Sequence, residues 1–279
     1  MTAELRALLA LAVIAVLGWV GYQLLFSDSA AAAVVLSEVR GDVQVESGGQ
    51  RGAATAGAPI HASDRLVSGA DGSAVLAFGT QSRVTVQANT SVQVTSVDPT
   101  GVRLSLEDGR VQATVRPGGP RLGIDAAGRA IRADDADFEI VRSPDGVAVQ
   151  SSRGAVDVDG AAVAAGDRTV IPSDGSPMQM PVSDALLLQM AWPAQDRTST
   201  PKVRLTGTTE PSAKVTASTS AGTATTRADR AGAFVIEVAL GEGENAVVVR
   251  AVNLFGQVAK AEWRVARDST PPAIGVRIE

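Results

Sequence analysis

The chain has 279 residues, a formal net charge of −5, a pI near 5.1, a single histidine and no cysteine. This acidic balance disfavours nucleic acid as a partner, because phosphate backbones bind basic faces. Without cysteine there are no disulfides and no cysteine-type zinc sites, and one histidine cannot form a histidine cluster.

The N-terminus contains an uncharged apolar stretch, residues 7–26, after a short stub at residues 1–6. As a helix with a rise of about 1.5 Å per residue, it would span roughly 30 Å, which matches the hydrocarbon core of a bilayer. We therefore expect a single transmembrane helix or signal anchor at 7–26. The alternative is a secretory signal that is cleaved near Ala30–Ala33.

The orientation of this segment follows from its flanking charges. Arg6 and the terminal amine precede it, so the positive-inside rule places the stub in the cytoplasm and the remaining chain outside. The expected location is the inner membrane, single-pass, with the bulk of the chain in the periplasm. Cleavage would instead release the body to the periplasm.

After the apolar segment, short strand-like runs and turn signals recur at intervals of about ten residues. Turn signals such as Asp71-Gly72, Asp108-Gly109 and Asp159-Gly160 separate these runs. No helical stretch is long enough for a βαβ crossover. The pattern predicts an all-β domain at 34–175, built as a sandwich, barrel or solenoid.

This domain contains two segments of weakly similar sequence. Gly41–Val45 followed by Ala62–Val67 resembles Gly154–Val158 followed by Ala165–Val170. Repetition of a supersecondary unit favours a solenoid-like stack.

A second all-β domain is predicted at 202–279. Ser183 is expected to cap a short helix at Asp184–Ala191, followed by the linker Pro193–Pro201, so that 176–201 joins the two domains. Alternation along Phe234–Leu240 and Val258–Val265 predicts an antiparallel sandwich. A last strand is expected at 274–278.

The first domain resembles the FecR domain of bacterial envelope proteins over about residues 35–175. The matching segments are Gly41–Val45, Ala62–Ser68, Gly69–Leu76, Leu104–Val115 and Gly154–Val170. FecR regulators are understood to sense an outer-membrane receptor and to control a sigma factor on the other side of the membrane. The stub at 1–6 is too short to hold a sigma factor, so signalling would need a separate partner.

One segment departs from the family pattern. The usual Thr-Pro and Gly-Thr-x-Phe elements are replaced by Ala133–Ile140, which keeps only Phe138. A partner contact made through that element is therefore not expected to transfer to this chain.

The second domain is similar to bacterial Ig-like modules found beside glucan-acting enzymes, of the glucodextranase domain B type. The segments that carry this similarity are Leu205–Val215, Gly232–Phe234, Gly243–Asn245 and Asp268–Pro272. The resemblance implies a fold and says little about activity, because one fold hosts many activities.

The most unusual local feature is an acidic strand. Asp135, Asp137 and Glu139 share one face of an extended segment, whereas Phe138 and Ile140 share the other. Three carboxylates are a weak candidate calcium site, because calcium prefers several oxygen ligands. The favoured interpretation is a solvated face or a charged edge that discourages strand pairing.

Other candidate residues have ordinary structural explanations. Asp64 and Asp167 are expected to cap turns, and His61 to lie in a turn or a half-buried position. Trp192 and Trp263 could stack on sugars, but packing in a core or at a domain junction is favoured. No catalytic residues, cofactor or phosphate-binding loop are predicted.

Three functions remain open. The first is a non-catalytic, membrane-tethered protein that binds or scaffolds envelope proteins or cell-wall polymer. The second is a component of a FecR-type transmembrane signalling system that acts through a separate partner. The third is a carbohydrate-active accessory protein.

Overall fold

The computed structural model describes residues 34–79, 81–173 and 175–270, and every regular element in these ranges is a β-strand. In this part of the chain no helix is long and apolar enough to cross a membrane. The transmembrane helix predicted at 7–26 and the strand predicted at 274–278 lie outside the described residues.

The first domain contains seventeen strands. The strands up to the long central one are β1 Val34–Arg40, β2 Val43–Ser47, β3 Gln50–Ala53, β4 Pro59–Ile60, β5 Arg65–Ser68, β6 Ser73–Phe78, β7 Ser82–Val86, β8 Ser91–Asp98 and β9 Gly101–Val115. The later strands are β10 Arg121–Ala126, β11 Arg129–Ala133, β12 Ala136–Ser143, β13 Gly146–Gly154, β14 Val156–Val158, β15 Ala161–Val163, β16 Asp167–Pro172 and β17 Met178–Pro181.

These strands form two layers. Sheet A has the order β4-β1-β6-β7-β9-β12-β13-β16-β17. Sheet B has the order β3-β2-β5-β8-β9-β10-β11-β14-β15. All neighbours are antiparallel except the parallel pair β9–β10. Alternate side chains of both sheets meet in one core that includes Leu36, Leu76, Leu106 and Ile140.

Strand β9 belongs to both sheets. Its first part pairs with β8 and β10, whereas residues 109–115 pair with β12 and, over part of that range, with β7. Gly109 lies where the strand passes from one sheet to the other, with a φ of 96°. A Cβ at this position would overlap Thr90 Oγ1, so the crossing requires glycine.

The two segments of similar sequence share a backbone turn but do not form a structural repeat. Asp64 N–H donates to the His61 carbonyl, and Asp167 N–H donates in the same way to the Ala164 carbonyl. The strands that follow these turns lie in different sheets, since β5 pairs in sheet B and β16 in sheet A. The two phrases therefore do not mark one repeated structural unit, and the first domain is a two-layer sandwich in which hairpins alternate between the sheets.

The second domain is a smaller sandwich of two sheets. Its strands are β18 Gln189–Ala191, β19 Arg197–Thr198, β20 Lys202–Thr208, β21 Lys214–Thr219, β22 Gly222–Arg227, β23 Ala233–Ala239, β24 Gly243–Val252 and β25 Val258–Arg267. Sheet C has the order β18-β20-β23, and sheet D has the order β19-β25-β24-β21-β22. The predicted alternation is confirmed, because Phe234, Ile236 and Val238 are all buried.

The helix predicted at Asp184–Ala191 is wrong. Asp184 and Ala185 form a bend, and β18 then pairs with β20 at the edge of sheet C. Leu186 is buried, and Leu188, Met190 and Trp192 also pack on the core of the second domain, which is the period of a strand. A single short helix is marginal without such packing, so the tertiary contacts decide its conformation.

The predicted boundaries also shift. Strand β17 continues the first domain beyond residue 175 by pairing with β16. Strand β19, in the expected linker, pairs in parallel with β25 of the second domain. The segment 176–201 therefore contributes strands to both domains.

Candidate functional site

A row of side chains crosses the outer face of sheet A in register. In order across the sheet it consists of Glu38, Val75, Thr85, Gln112, Glu139, Gln150, Arg168 and Met180. The residues that flank Gln112 and Glu139 along their strands are buried in the core, so the row faces outward. The predicted acidic strand, β12, lies at the centre of this face.

The residues on the two faces of β12 are those predicted from the sequence. Phe138 and Ile140 are buried, while Asp137 and Glu139 project from the outer face. Asp135 lies in the turn before the strand. Strand β12 is central, with β9 on one side and β13 on the other. The charged-edge interpretation is therefore wrong.

Arginines and an amide hold these carboxylates. Glu139 accepts from Arg110 Nη1 at 2.8 Å and from Gln150 Nε2 at 2.9 Å. Asp137 accepts from Arg116 Nη1 at 2.7 Å and from Arg153 Nε at 2.8 Å. These charge-assisted bonds satisfy oxygens that would otherwise need water or a metal.

The ionisation of the two aspartates reflects these contacts. Partial burial raises the pKa of Asp137, but hydrogen bonds from Arg116 and Arg153 outweigh burial and lower the pKa below its usual value. A hydrogen bond from Arg153 likewise lowers the pKa of Asp135. The pKa of Arg153 is raised in return, so this group stays ionised at neutral pH.

The calcium hypothesis for this strand has no support in the geometry, and it stays a prediction. Within the ranges that the structure describes, no group of three or more His, Cys, Asp or Glu side chains is placed to hold a metal ion. Each of Asp135, Asp137 and Glu139 instead has an arginine partner.

A polar cleft lies over this centre. Its volume is about 440 Å³, and we define it by Gln112, Thr114, Asp137, Glu139, Gln150, Ser152, Gly166 and Val182. The lining offers amide, hydroxyl and carboxylate groups, and Val182 supplies an exposed apolar rim. The cleft is therefore suited to hydrogen bonding with a polar surface or a polyhydroxylated ligand.

Beside the cleft, the second domain docks on the outer face of sheet A. Phe255 packs with Val141, Ala148 and Val170 in a small apolar cluster, and Leu254 also contacts it. Arg110 connects this contact to the acidic strand, because its Nη2 donates to the Phe255 carbonyl at 2.7 Å.

A buried ion pair reinforces the docking. Arg168 is 1% exposed, and its Nη1 lies 3.0 Å from Glu210 Oε2 of the second domain. Its guanidinium carbon lies 5.2 Å from the centre of the Phe255 ring. Asn253 Nδ2 donates to the same Glu210 carboxylate at 2.9 Å. We call the set Arg168, Glu210, Asn253 and Phe255 the interdomain junction.

The structure brings none of the other candidate residues into this site. Asp64 caps a turn as predicted, since it accepts from His61 N–H at 2.8 Å, and the His61 side chain is exposed. The Asp167 side chain instead accepts a hydrogen bond from Gln179 Nε2 at 3.4 Å, so it does not cap its turn as predicted.

The two tryptophans pack on each other. The rings of Trp192 and Trp263 stack with centroids 5.7 Å apart, and both pack on the core of the second domain. The packing interpretation is therefore confirmed. Their stacking covers one face of each ring.

The sequence analysis missed the arginines and the whole interdomain junction. Arg168 and Arg65 occupy the same position in the two similar segments 165–170 and 62–67. Arg65, however, contacts Glu46 and Glu107 within the first domain and gives no sign of an interdomain role. No local pattern indicates that Arg168 meets Glu210, because the partners are 42 positions apart in different domains.

The solved structures that resemble this chain are distant from it. A search of the curated proteins finds no match. A candidate anti-sigma factor from Parabacteroides distasonis has a TM-score of 0.37 and 14% identity, over 41% of this chain and 57% of that one. The chain thus spans less than two thirds of that protein.

Two further structures show weaker likeness. The fibronectin(III)-like modules of Clostridium thermocellum CbhA have a TM-score of 0.28 and 12% identity, over 67% of this chain and 100% of that one. A Ca²⁺-stabilized, ice-binding adhesin of an Antarctic bacterium has a TM-score of 0.23 and 13% identity, over 86% and 66% of the two chains. Likenesses at these TM-scores carry no argument about function.

The family comparison is more informative. Residues 64–157 match the family described as FecR protein, and this range contains β7, β9, β12 and β13. The match covers less than half of the chain. It confirms the sequence resemblance for the central part of the first domain, which includes most of the polar cleft.

Proposed function

We propose that this chain is a non-catalytic component of a FecR-type signalling system that binds a separate protein partner at the polar cleft. The observation that carries the proposal is the family match at 64–157. The strands in this range supply Gln112, Thr114, Glu139 and Gln150 to the lining of the cleft.

The state of the carboxylates supports binding over catalysis. A general base must be free to take a proton in the reaction. Asp137 is engaged by Arg116 and Arg153, and Glu139 by Arg110 and Gln150. Groups arranged in this way are suited to fixed polar contacts with a partner surface.

The proposal includes a location. The apolar segment 7–26 would tether the chain to the inner membrane, with both β-domains in the periplasm, where the cleft meets its partner.

A second candidate function is scaffolding of envelope proteins or cell-wall polymer. The observation that favours it is the position of the cleft beside the docked second domain, since binding sites often form at domain interfaces. Under this hypothesis the cleft binds a structural component of the envelope, and no signalling protein is engaged.

Site-specific photocrosslinking of the full chain in its native cells separates the two functions. A photoreactive residue replaces the exposed Gln112 in the cleft, and the control replaces Thr225, exposed on β22 of the second domain. We expect the Gln112 position to capture a membrane-bound regulator or a protein that controls a sigma factor, and the Thr225 position not to do so.

Two results contradict the signalling proposal. Capture of only outer-membrane or wall-bound proteins at Gln112 would replace it with the scaffolding function. Equal yields of the same adducts at Gln112 and Thr225 would show that the cleft is not a specific binding site.

A further inference from the structure

The outer face of sheet D in the second domain carries an excess of basic side chains. On strands β21, β22, β24 and β25 alternate residues point away from the core, since Val215, Val249 and Val265 on the inward positions are buried. The outward positions hold five cations, Lys214, Arg227, Arg250, Lys260 and Arg264, and two carboxylates, Glu244 and Glu262. We call this surface the basic face. It contrasts with the whole chain, whose formal net charge is −5.

The register of sheet D places cations directly opposite each other. Lys214 of β21 is paired with Arg227 of β22, and Arg250 of β24 is paired with Lys260 of β25. Like charges at directly opposed positions of an antiparallel pair destabilise a sheet. The pairs therefore do not serve the stability of the fold, and an anionic partner above the face would relieve their repulsion.

Two of these cations have carboxylate partners. Arg227 is paired with Asp145 of the first domain, and Lys260 Nζ lies 2.8 Å from Glu262 Oε1. A hydrogen bond from Lys260 lowers the pKa of Glu262, so this carboxylate is ionised at neutral pH and offsets one positive charge.

The other three cations are not neutralised by a neighbour. Within the residues that the structure describes, no carboxylate lies within 4.0 Å of the Lys214 ammonium or of the Arg250 and Arg264 guanidinium groups. Strands β21 and β24, which carry Lys214 and Arg250, lie inside sheet D between β22 and β25. The uncompensated positive charge is therefore at the centre of the basic face.

The basic face is broad. Neighbouring strands lie about 4.8 Å apart and successive outward residues about 6.8 Å apart, so the cations spread over roughly 14 Å by 20 Å. Thr225, Thr216, Arg250 and Lys260 form one row across the four strands, in which the short hydroxyl side chains do not cover the longer basic ones. A thin polymer would contact one such row, whereas a planar anionic surface can contact several rows at once.

Two valines lie among the cations. Val252 and Val258 are directly opposite each other on β24 and β25, and Val258 is 48% exposed. Lys214 is opposite Val252 on its other side. Long basic side chains around apolar groups suit a lipid interface, where the apolar groups leave water and the cations reach the headgroups. This mixture favours a membrane over a soluble polyanion.

From this geometry we propose that the basic face of sheet D binds a membrane surface that contains anionic lipids. Lys214 and Arg250 would contact lipid phosphates, and the Thr216 hydroxyl would donate to a phosphate oxygen. The apolar segment 7–26 would insert into the same membrane, and residues 27–33 span at most about 25 Å, which keeps the first domain near the bilayer. The inference concerns a different domain from the polar cleft and does not depend on the partner proposed there.

The approach of this face to lipid is tested with the full chain in lipid nanodiscs. The chain has no cysteine, so one cysteine at the exposed Thr225, beside the basic face, carries a donor dye, and acceptor dyes are placed on lipid headgroups. The control position is the exposed Thr206 on the outer face of sheet C. Nanodiscs of phosphatidylcholine alone are compared with nanodiscs that also contain phosphatidylglycerol.

We expect phosphatidylglycerol to raise the energy transfer from Thr225 and not from Thr206. We expect this rise to diminish as salt is added, because salt screens the attraction between the cations and the lipid phosphates. Transfer that is the same in both kinds of nanodisc would contradict the proposal, and so would an equal rise at the two positions.

Charge variants assign the effect to the basic face. Lys214→Glu combined with Arg250→Glu is expected to abolish the rise at Thr225 that phosphatidylglycerol causes. The matched control, Lys202→Glu with Arg204→Glu, makes the same change of charge at exposed positions of β20 and is expected to keep the rise. Thermal melting checks folding, and we expect the first variant to be no less stable than the parent, because it removes both pairs of opposed like charges.

An equal loss of the rise in both charge variants would overturn the proposal, since the effect would then follow the net charge of the chain. Retention of the rise in the Lys214 and Arg250 variant would overturn it as well. Each of these results leaves the crosslinking experiment at Gln112 unaffected, because Gln112 lies in the first domain.

Discussion

Arg168 illustrates how a charged residue can be buried without disrupting a β-sandwich. Its cost of desolvation is offset by Glu210, by the Ser183 carbonyl and by the face of the Phe255 ring. Glu210 and Phe255 belong to the second domain, and Ser183 belongs to the segment that joins the two domains. The charge therefore stabilises one particular arrangement of the domains.

Replacement of the Glu210 carboxylate tests how far the burial of Arg168 depends on its counter-charge. We expect Glu210→Gln to lower the free energy of unfolding by about 3 kcal/mol, because it leaves Arg168 buried without a counter-charge. The control is Glu262→Gln, which breaks the exposed pair with Lys260 and should leave the free energy of unfolding nearly unchanged. Urea unfolding at neutral pH measures both, and equal effects of the two variants would contradict the buried-pair account.

The acidic strand predicts a pH dependence. The folded-state pKa of Asp137 lies below its unfolded value of about 3.9, so its ion pairs stabilise the fold above that pH and this stabilisation is lost as pH falls through the lowered pKa. We expect the wild-type chain to lose more stability between pH 7 and pH 3 than Asp137→Asn, by urea unfolding at each pH.

Arg153→Gln is the matched variant, because it removes a cation shared by Asp135 and Asp137. It should also reduce the loss of stability on acidification. If both variants lost as much stability at low pH as the wild-type chain, the arginine contacts would not be the cause of the lowered pKa.

At the scale of elements, the segment 186–192 shows why the predicted helix fails. Its apolar residues fit both the period of a helix and the period of a strand, and packing against the second domain decides between the two conformations. Leu186→Ala should lower the free energy of unfolding by about 2 kcal/mol or more, since Leu186 is buried in the second domain. Leu187→Ala, at a position 70% exposed, should change it by less than about 0.5 kcal/mol.

Urea unfolding of the two variants shows which of the adjacent leucines is buried, and Leu188→Ala distinguishes the conformations. In a strand Leu188 shares the inward face of Leu186, whereas in a helix it would lie about 200° around the axis from Leu186. We expect Leu188→Ala to lower the free energy of unfolding as Leu186→Ala does, because both side chains pack on the core of the second domain. No loss in Leu188→Ala would contradict the strand-like alternation.

Much of the fold was predictable where one face of a strand is buried. The alternation along β23 and β25 identified their inward faces, and Asp137 and Glu139 were correctly placed on one side of β12. The partners of those carboxylates were not predictable. They lie on β9, β13 and the turn after β9, and strand order is not encoded in local periodicity.

At the scale of the whole molecule, the residues on the two outer faces of the first domain depend on how the strands cross between layers. Strand β9 supplies Gln112 to the polar cleft and Arg103 to the outer face of sheet B, because it passes from sheet B to sheet A at Gly109. One continuous strand thus connects two outer faces that point in opposite directions. A sequence pattern with period two cannot indicate such a crossing.

The docking of the second domain is the remaining feature that the sequence did not indicate, and Phe255 is its apolar centre. Relative motion of domains is expected unless their contact is well packed. Phe255→Ser removes the ring that covers Val141, Ala148 and Arg168, so we expect the two domains to separate and to move independently. Each domain keeps its own core and should stay folded.

Pulsed electron resonance between two spin labels measures this motion. The chain has no cysteine, so cysteines introduced at the exposed Ala162 and Thr225 label one position in each domain. We expect a narrow distance distribution in the parent and a broad one in Phe255→Ser. The control Val258→Ser, at a half-exposed position of β25, should keep the narrow distribution. A narrow distribution in the Phe255 variant would mean that the Arg168–Glu210 pair and its hydrogen bonds hold the domains together without the apolar contact.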